Sequence, residues 1–327
     1  MLNSREYIIL FLVILGLQLK GQDPQFSQFY SSPLYLSPSL AGASGETRLI
    51  ANYRNQWASL PSAYTTYAFS MDHYIPGYKS GVGILVLRDQ HGGVYNTNIA
   101  GASYSYTVDI NHQLSIRPGL QAAYYNRNVN YNALEFADQL YRGATTTIEI
   151  PKNEQVHHYD FAFSLLTYST NFWFGASGDH LLALNQQFAS DYTYPSLKIT
   201  LYGGYKFSLI KSVRSETNRS FSLSFLYKNQ AGFNQLDIGS NYEKEPFRIG
   251  IWFRGIPAFK ETADLNAVVL LAGYSFDDFL INYSYDISTS RLLAATGGSH
   301  EISIAYKFNM DLVARRSKRK AVPCPEF

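Results

Sequence analysis

Phe247-Arg248-Ile249-Gly250-Ile251-Trp252-Phe253-Arg254 places an apolar side chain at every odd position and two arginines among the even ones. That is the period of two of a β-strand with one greasy and one polar face. The same alternation sets Ile281, Tyr283, Tyr285 and Ile287 against Asn282, Ser284, Asp286 and Ser288. It also sets Ile302, Ile304, Tyr306 and Phe308 against Glu301, Ser303, Ala305 and Lys307. Read outward from there, the pattern predicts fourteen strands near residues 47–57, 64–74, 81–88, 94–108, 113–125, 158–168, 171–179, 198–209, 219–229, 234–242, 246–255, 265–276, 279–288 and 298–308. Short turns at 109–112, 169–170, 243–245 and 277–278 alternate with connections that are often long, above all 126–157 and 180–197. An even number of strands, with short turns on one rim and long loops on the other, describes an antiparallel transmembrane β-barrel of the outer-membrane kind. Hydrocarbon offers no water to unpaired N–H and C=O groups, so such a sheet must close on itself. A soluble β-sandwich also alternates; the strand count, tyrosines and tryptophans near strand ends and arginines on the inner face favour the barrel.

Composition agrees. Of 327 residues, 16% are aromatic and 16% charged, against roughly 25% charged in ordinary soluble domains. A hydrophobic content of 46% is too low for a bundle of membrane helices and too high for a disordered chain. Five cations, Arg315, Arg316, Lys318, Arg319 and Lys320, crowd one stretch, and the formal net charge is only +2, so the remainder is weakly acidic. That distribution is not a nucleic-acid footprint. A single cysteine, Cys324, excludes an intramolecular disulfide framework and a cysteine-based zinc cluster.

Four regions follow. Residues 1–21 read as a secretory signal peptide, because Arg5 precedes an apolar run from Tyr7 to Leu17 that is about half the length of a spanning helix. Residues 22–46 hold Pro24, Pro33 and Pro38 with no periodic pattern. Phe26, Phe29, Tyr30, Leu34, Tyr35 and Leu36 make this segment too apolar to hang free, which predicts a plug in the periplasmic mouth. Residues 47–308 form the barrel, and residues 309–327 a basic tail. An even strand count puts both termini on one side, expected to be the periplasm.

Gln22-Asp23-Pro24-Gln25-Phe26-Ser27-Gln28-Phe29-Tyr30, followed by Pro33-Leu34-Tyr35-Leu36-Ser37-Pro38 and Ala41-Gly42, resembles the mature amino terminus of the PorP/SprF family of Bacteroidota outer-membrane proteins. Arg54-Asn55-Gln56-Trp57 is similar too, as are Tyr285-Asp286-Ile287-Ser288 and Thr296-Gly297-Gly298-Ser299-His300-Glu301-Ile302-Ser303. The ending Cys324-Pro325-Glu326-Phe327 departs from the family at Glu326, where a basic residue is common. The resemblance implies a barrel of the type IX secretion system that binds and anchors, or helps export, a secreted or cell-surface protein such as a gliding adhesin. The partner would engage through its C-terminal domain, and periplasmic or lipoprotein components of the secretion or gliding machinery would meet the barrel from below.

The chain has no G-x-S-x-G, H-E-x-x-H, Walker or C-x-x-C motif, and no enzyme, cofactor or metal is expected. His157 and His158 are neighbours in a strand and so point to opposite faces, which disfavours a shared metal. Arg48, Arg54, Arg117, Arg248 and Arg254 belong to the inner face, with Asp286 and Glu301. They read either as a ladder of ion pairs or as a channel lining or docking surface for an inserted peptide. The tail run from Arg315 to Lys320 reads as a solvated arm or a periplasmic contact. Tyr131, Phe136, Tyr141, Phe188, Tyr192 and Tyr194 in the long loops read as partner-binding anchors or as rings packed on the loops and the aromatic girdle. A porin-like passive channel or transporter is the alternative function.

Overall fold

The computed structural model describes residues 23–60, 63–145, 147–148, 155–182, 186–188, 191–193, 196–209, 219–255, 267–289 and 297–309. The expected signal peptide and the basic run from Arg315 to Lys320 lie outside the described residues. Fourteen barrel strands follow in chain order: β1 (Thr47–Gln56), β2 (Tyr64–Ile75), β3 (Ser80–His91), β4 (Tyr95–Tyr106), β5 (Ser115–Val129), β6 (Gln155–Tyr168) and β7 (Phe172–Asp179). They continue as β8 (Lys198–Ser208), β9 (Arg219–Gln230), β10 (Phe233–Lys244), β11 (Phe247–Arg254), β12 (Ala267–Phe276), β13 (Phe279–Ser288) and β14 (Ser299–Phe308). Each pairs antiparallel with the next, and β14 returns to β1 with Phe308 opposite Thr47 and Glu301 opposite Arg54. The sheet therefore closes without edges.

Alternation sorts the side chains. On β14, Ile302 and Ile304 are exposed on the outer wall, while Glu301 and Ser303 are buried within. On β11, Phe247, Ile249, Ile251 and Phe253 face out and Trp252 and Arg254 face in. Among the described residues no helix is long and apolar enough to cross a membrane. The apolar outer face of a closed ladder is what lets strands span. β1 begins and β14 ends at the same rim, called here the terminal rim; the opposite one is the long-loop rim.

The loop expected at 126–157 is shorter than the alternation suggests. β5 runs on to Val129 and β6 starts at Gln155, with Asn128 opposite it. Asn126 and Asn128 are polar, yet they extend the ladder because their side chains bond Asn98 and Asn96 of β4 at 3.2 and 3.0 Å. Hydrophobic alternation cannot reveal a ladder built from side-chain amides.

Residues 23–46 fill the interior. They contain three short helical turns, Phe29–Ser31, α1 (Pro33–Leu36) and Pro38–Leu40. Pro33 and Pro38 stand in the first turns of their pieces, where a missing N–H costs nothing. The protein's core lies between this segment and the wall. Phe29, Tyr30, Leu36 and Leu40 pack with Leu166, Tyr202 and Trp252, and Phe26, Leu34 and Ala41 pack with Ala68, Leu85 and Leu87. The wall makes room with glycine: a Cβ on Gly119 would collide with the backbone of Ser39, and one on Gly81 with the carbonyl of Ala41.

Candidate functional site

The occupied lumen is the candidate site, and it is built in three tiers. Ala41 and Gly42 lie at the terminal rim. The guanidinium of Arg117 donates to the carbonyl of Ala41 at 2.5 Å, and Gly42 N–H donates to Asp72 at 2.8 Å. Asp72 also holds Arg48 at 3.0 Å.

The middle tier is the most polar. Glu301 accepts from the consecutive backbone N–H groups of Ser27 and Gln28 at 2.7 and 3.0 Å and takes Arg54 at 3.0 Å. Asp286 accepts from the Ser27 hydroxyl at 2.7 Å, from Arg54 at 2.8 Å and from Arg254 at 2.8 Å. The amide of Gln28 donates to the hydroxyl of Ser284 at 3.0 Å and accepts from Ser303 at 2.9 Å. All these side chains are buried, so each charge is held by bonds it cannot obtain from solvent. Ser27 and Gln28, Arg54, Asp286 and Glu301, one or two residues from each of four stretches that carry the family resemblance, thus meet at one point although the two ends of the chain supply them. Trp252 roofs the tier, its ring 5.0 Å from Phe29 at 90°.

Asp23 reaches the long-loop rim. Its backbone N–H donates to Gln230 at 3.1 Å, and its carboxylate pairs with His180 Nε2 at 2.9 Å and Lys198 at 3.2 Å. His180 Nδ1 contacts Asp160, and Lys198 also meets Asp179 at 3.4 Å and lies 4.8 Å over the ring of Tyr35. Burial penalises both charged forms at the Asp23–His180 pair, but mutual attraction wins. His180, aided by Asp160, is pushed up to about 9. Asp23, with Lys198 added, is held well below the usual carboxylate range.

The plug expectation is therefore corrected in position. Phe26, Phe29 and Tyr30 are buried and Tyr35 half-buried, not at one mouth but along the whole lumen. The reason is that inward polar partners are spread from rim to rim, and backbone groups outside regular structure follow them. The two readings of the inner arginines merge: Arg48, Arg248, Arg254 and Arg54 pair with wall carboxylates, and Arg54 and Arg117 bind the inserted segment, which is the chain's own. His157 is exposed and His158 buried, and no metal-binding cluster occurs among the described residues.

In the 130–154 loop, Tyr131 and Phe136 stack on each other with centroids 6.4 Å apart. Tyr141, on α2 (Ala137–Arg142), is 93% exposed, beside exposed Leu140 and Ile148. Asp138 organises this tip: the N–H of Ile148 at 3.0 Å, the hydroxyl of Thr147 at 2.7 Å and the guanidinium of Arg142 all converge on it. Those bonds, the Ile148 N–H foremost, hold its carboxyl down to about 2. Phe188 and Tyr192 belong to a small hairpin, 186–188 with 191–193. Tyr194 lies outside the described residues. At the terminal rim a cavity of about 540 Å³ opens among Glu46, Arg219, Glu245, Asp277 and Lys307.

Fold and interior together define an outer-membrane β-barrel filled by its own amino-terminal segment. The family described as "Type IX secretion system membrane protein PorP/SprF" matches residues 18–306, and the chain belongs to it. No curated protein matches the chain in sequence. Solved structures that resemble it include Omp33 of Acinetobacter baumannii, 10% identical over 81% of this chain and 100% of that one, with a TM-score of 0.42. The CymD monoaromatic hydrocarbon channel is 12% identical over 86% and 93%, TM-score 0.47. The P. putida toluene transporter TodX is 9% identical over 84% and 93%, TM-score 0.46. None is near enough to lend a function.

Proposed function

We propose that this type IX barrel binds and anchors, or helps export, a secreted or cell-surface protein such as a gliding adhesin, acting as an interaction scaffold and not as an enzyme. The observation that supports this reading is the lumen packed with the chain's own residues from Asp23 to Gly42, which is at odds with a porin-like passive channel. What remains for recognition is the long-loop rim, where α2 holds Leu140, Tyr141 and Ile148 in solvent on a tip braced by Asp138. Exposed aromatic and aliphatic anchors on a preorganised support are what interface hot spots need. In this reading the terminal rim faces the periplasm, and its cavity and the basic run from Arg315 to Lys320 meet the secretion machinery.

Co-purification from native outer membrane tests the proposal. A large secreted protein should accompany the intact barrel in stoichiometric amount, and deletion of Leu134–Glu154 should leave heat-modifiable gel mobility unchanged while lowering the amount of partner retained. Full retention by the shortened protein would remove this loop from the site.

A further inference from the structure

Between the start of the inserted segment and the wall, at the long-loop rim, lies a cavity of about 60 Å³ walled by Phe26, Phe29 and Tyr35. Its polar lining is unbalanced. Lys228 of β9 is half-buried and has no hydrogen bond or ion pair among the described residues. The acid nearest to acting on it, Asp237, is already engaged by Gln235 at 2.8 and 2.9 Å, by the N–H of Gly255 at 2.9 Å and by Arg254 at 3.7 Å. Thr200 is fully buried and lines the same cavity, and its hydroxyl has no partner among the described residues; neither has the side-chain N–H₂ of Gln25. Donors left unpaired inside apolar walls are costly unless something arrives to accept from them.

We propose that this cavity is a binding site for a carboxylate carried on an apolar chain. Lys228 supplies the charge, Thr200 and Gln25 supply donors, and the rings of Phe26, Phe29 and Tyr35 bury the first carbons. The volume suits one carboxylate and little more, so the rest of the ligand must leave past Phe233, which is exposed at the β9–β10 turn. Asp23 also lines the cavity, but His180 and Lys198 neutralise it. One uncommitted cation beside a paired acid fits a monoanion; a phosphate dianion would find too little positive charge. The site needs only the inserted segment and the wall, so it stands apart from the partner-retention reading.

Titration calorimetry on the full mature barrel in detergent decides. Butyrate should bind and butyramide should not, and Lys228→Met should weaken butyrate at least about tenfold, as expected for loss of a charge-assisted bond. Thr200→Val, a smaller change, should weaken it less and serves if Lys228→Met loses heat-modifiable mobility. A tripeptide of leucines with a free carboxyl end, compared with its amide, separates the two sources of the group. Tighter binding of the acid peptide than of butyrate assigns the end of a protein chain, and the reverse order assigns a small free acid. No binding of either carboxylate, equal binding of the amides, or unchanged affinity in both variants would overturn the proposal.

Discussion

Glu301 sets one carboxylate against two consecutive backbone N–H groups and a guanidinium, so its charge and its geometry can be tested apart. Glu301→Gln keeps the volume, but its N–H₂ must face a donor, at a cost of about 1.5–3 kcal/mol for each charge-assisted bond lost. The expected outcome is faster protease trimming of residues 23–46 from a barrel that still shows heat-modifiable mobility; trimming at the wild-type rate would count against the middle tier as the main anchor. His180 makes the upper anchor pH-dependent. Its pKa is raised to about 9 in place against about 6.5 when free, so its contribution is complete below about 6.5 and is lost as pH rises through 9. Asp23, Asp160, Asp179, Lys198, His158 and Arg127 surround it. Trimming near Asp23 should therefore accelerate above pH 9 in the wild type, and His180→Gln should flatten that limb. This residue was illegible in the sequence, because Asp23 and His180 are 157 positions apart and a histidine following a strand reads as a loop residue.

At the scale of elements, all fourteen strands were legible, since alternation is a local property that survives without knowledge of neighbours. Arg in place of Ile304, exposed on the outer face of β14, should cost on the order of 2–4 kcal/mol near the bilayer midplane, read as a lower urea midpoint in folding onto vesicles. Ala305 faces inward beside Arg48 and Arg248, so Ala305→Ser should be nearly silent; equal losses at both positions would sink the assignment of the lipid face. The inserted segment was legible only as something apolar in need of burial. Its path was not, because Ser27 and Gln28 find their partners 274 and 273 residues away, beyond the reach of any local pattern. The aromatic anchors divide in the same way: the stacking of Tyr131 on Phe136 and the exposure of Tyr141 depend on how Asp138 folds the loop tip, which composition does not specify.

For the whole molecule, the interior is where stability and permeability are coupled. The intact barrel should be electrically silent in a planar bilayer, and a form lacking residues 23–40 should conduct; steady conductance from the intact protein would favour the channel alternative. Asp23 sits beside Lys198 and Gln230, at the end of the lumen remote from Thr47. If the terminal rim faces the periplasm, as proposed, anything joined to the front of Asp23 leaves by the outer doorway, against the expectation that both termini share one side, while the rest of the chain enters from the inner side. The expected leader, residues 1–21, could not take that route while tethered to the inner membrane. On that orientation, removal of the expected leader should come first, as a timing signal, and the freed end should only then be drawn through the ring and locked. A chain whose leader cleavage is blocked at Gly21 should accumulate with residues 23–46 open to protease on the inner side, and protection equal to that of the mature protein would show that the order is otherwise.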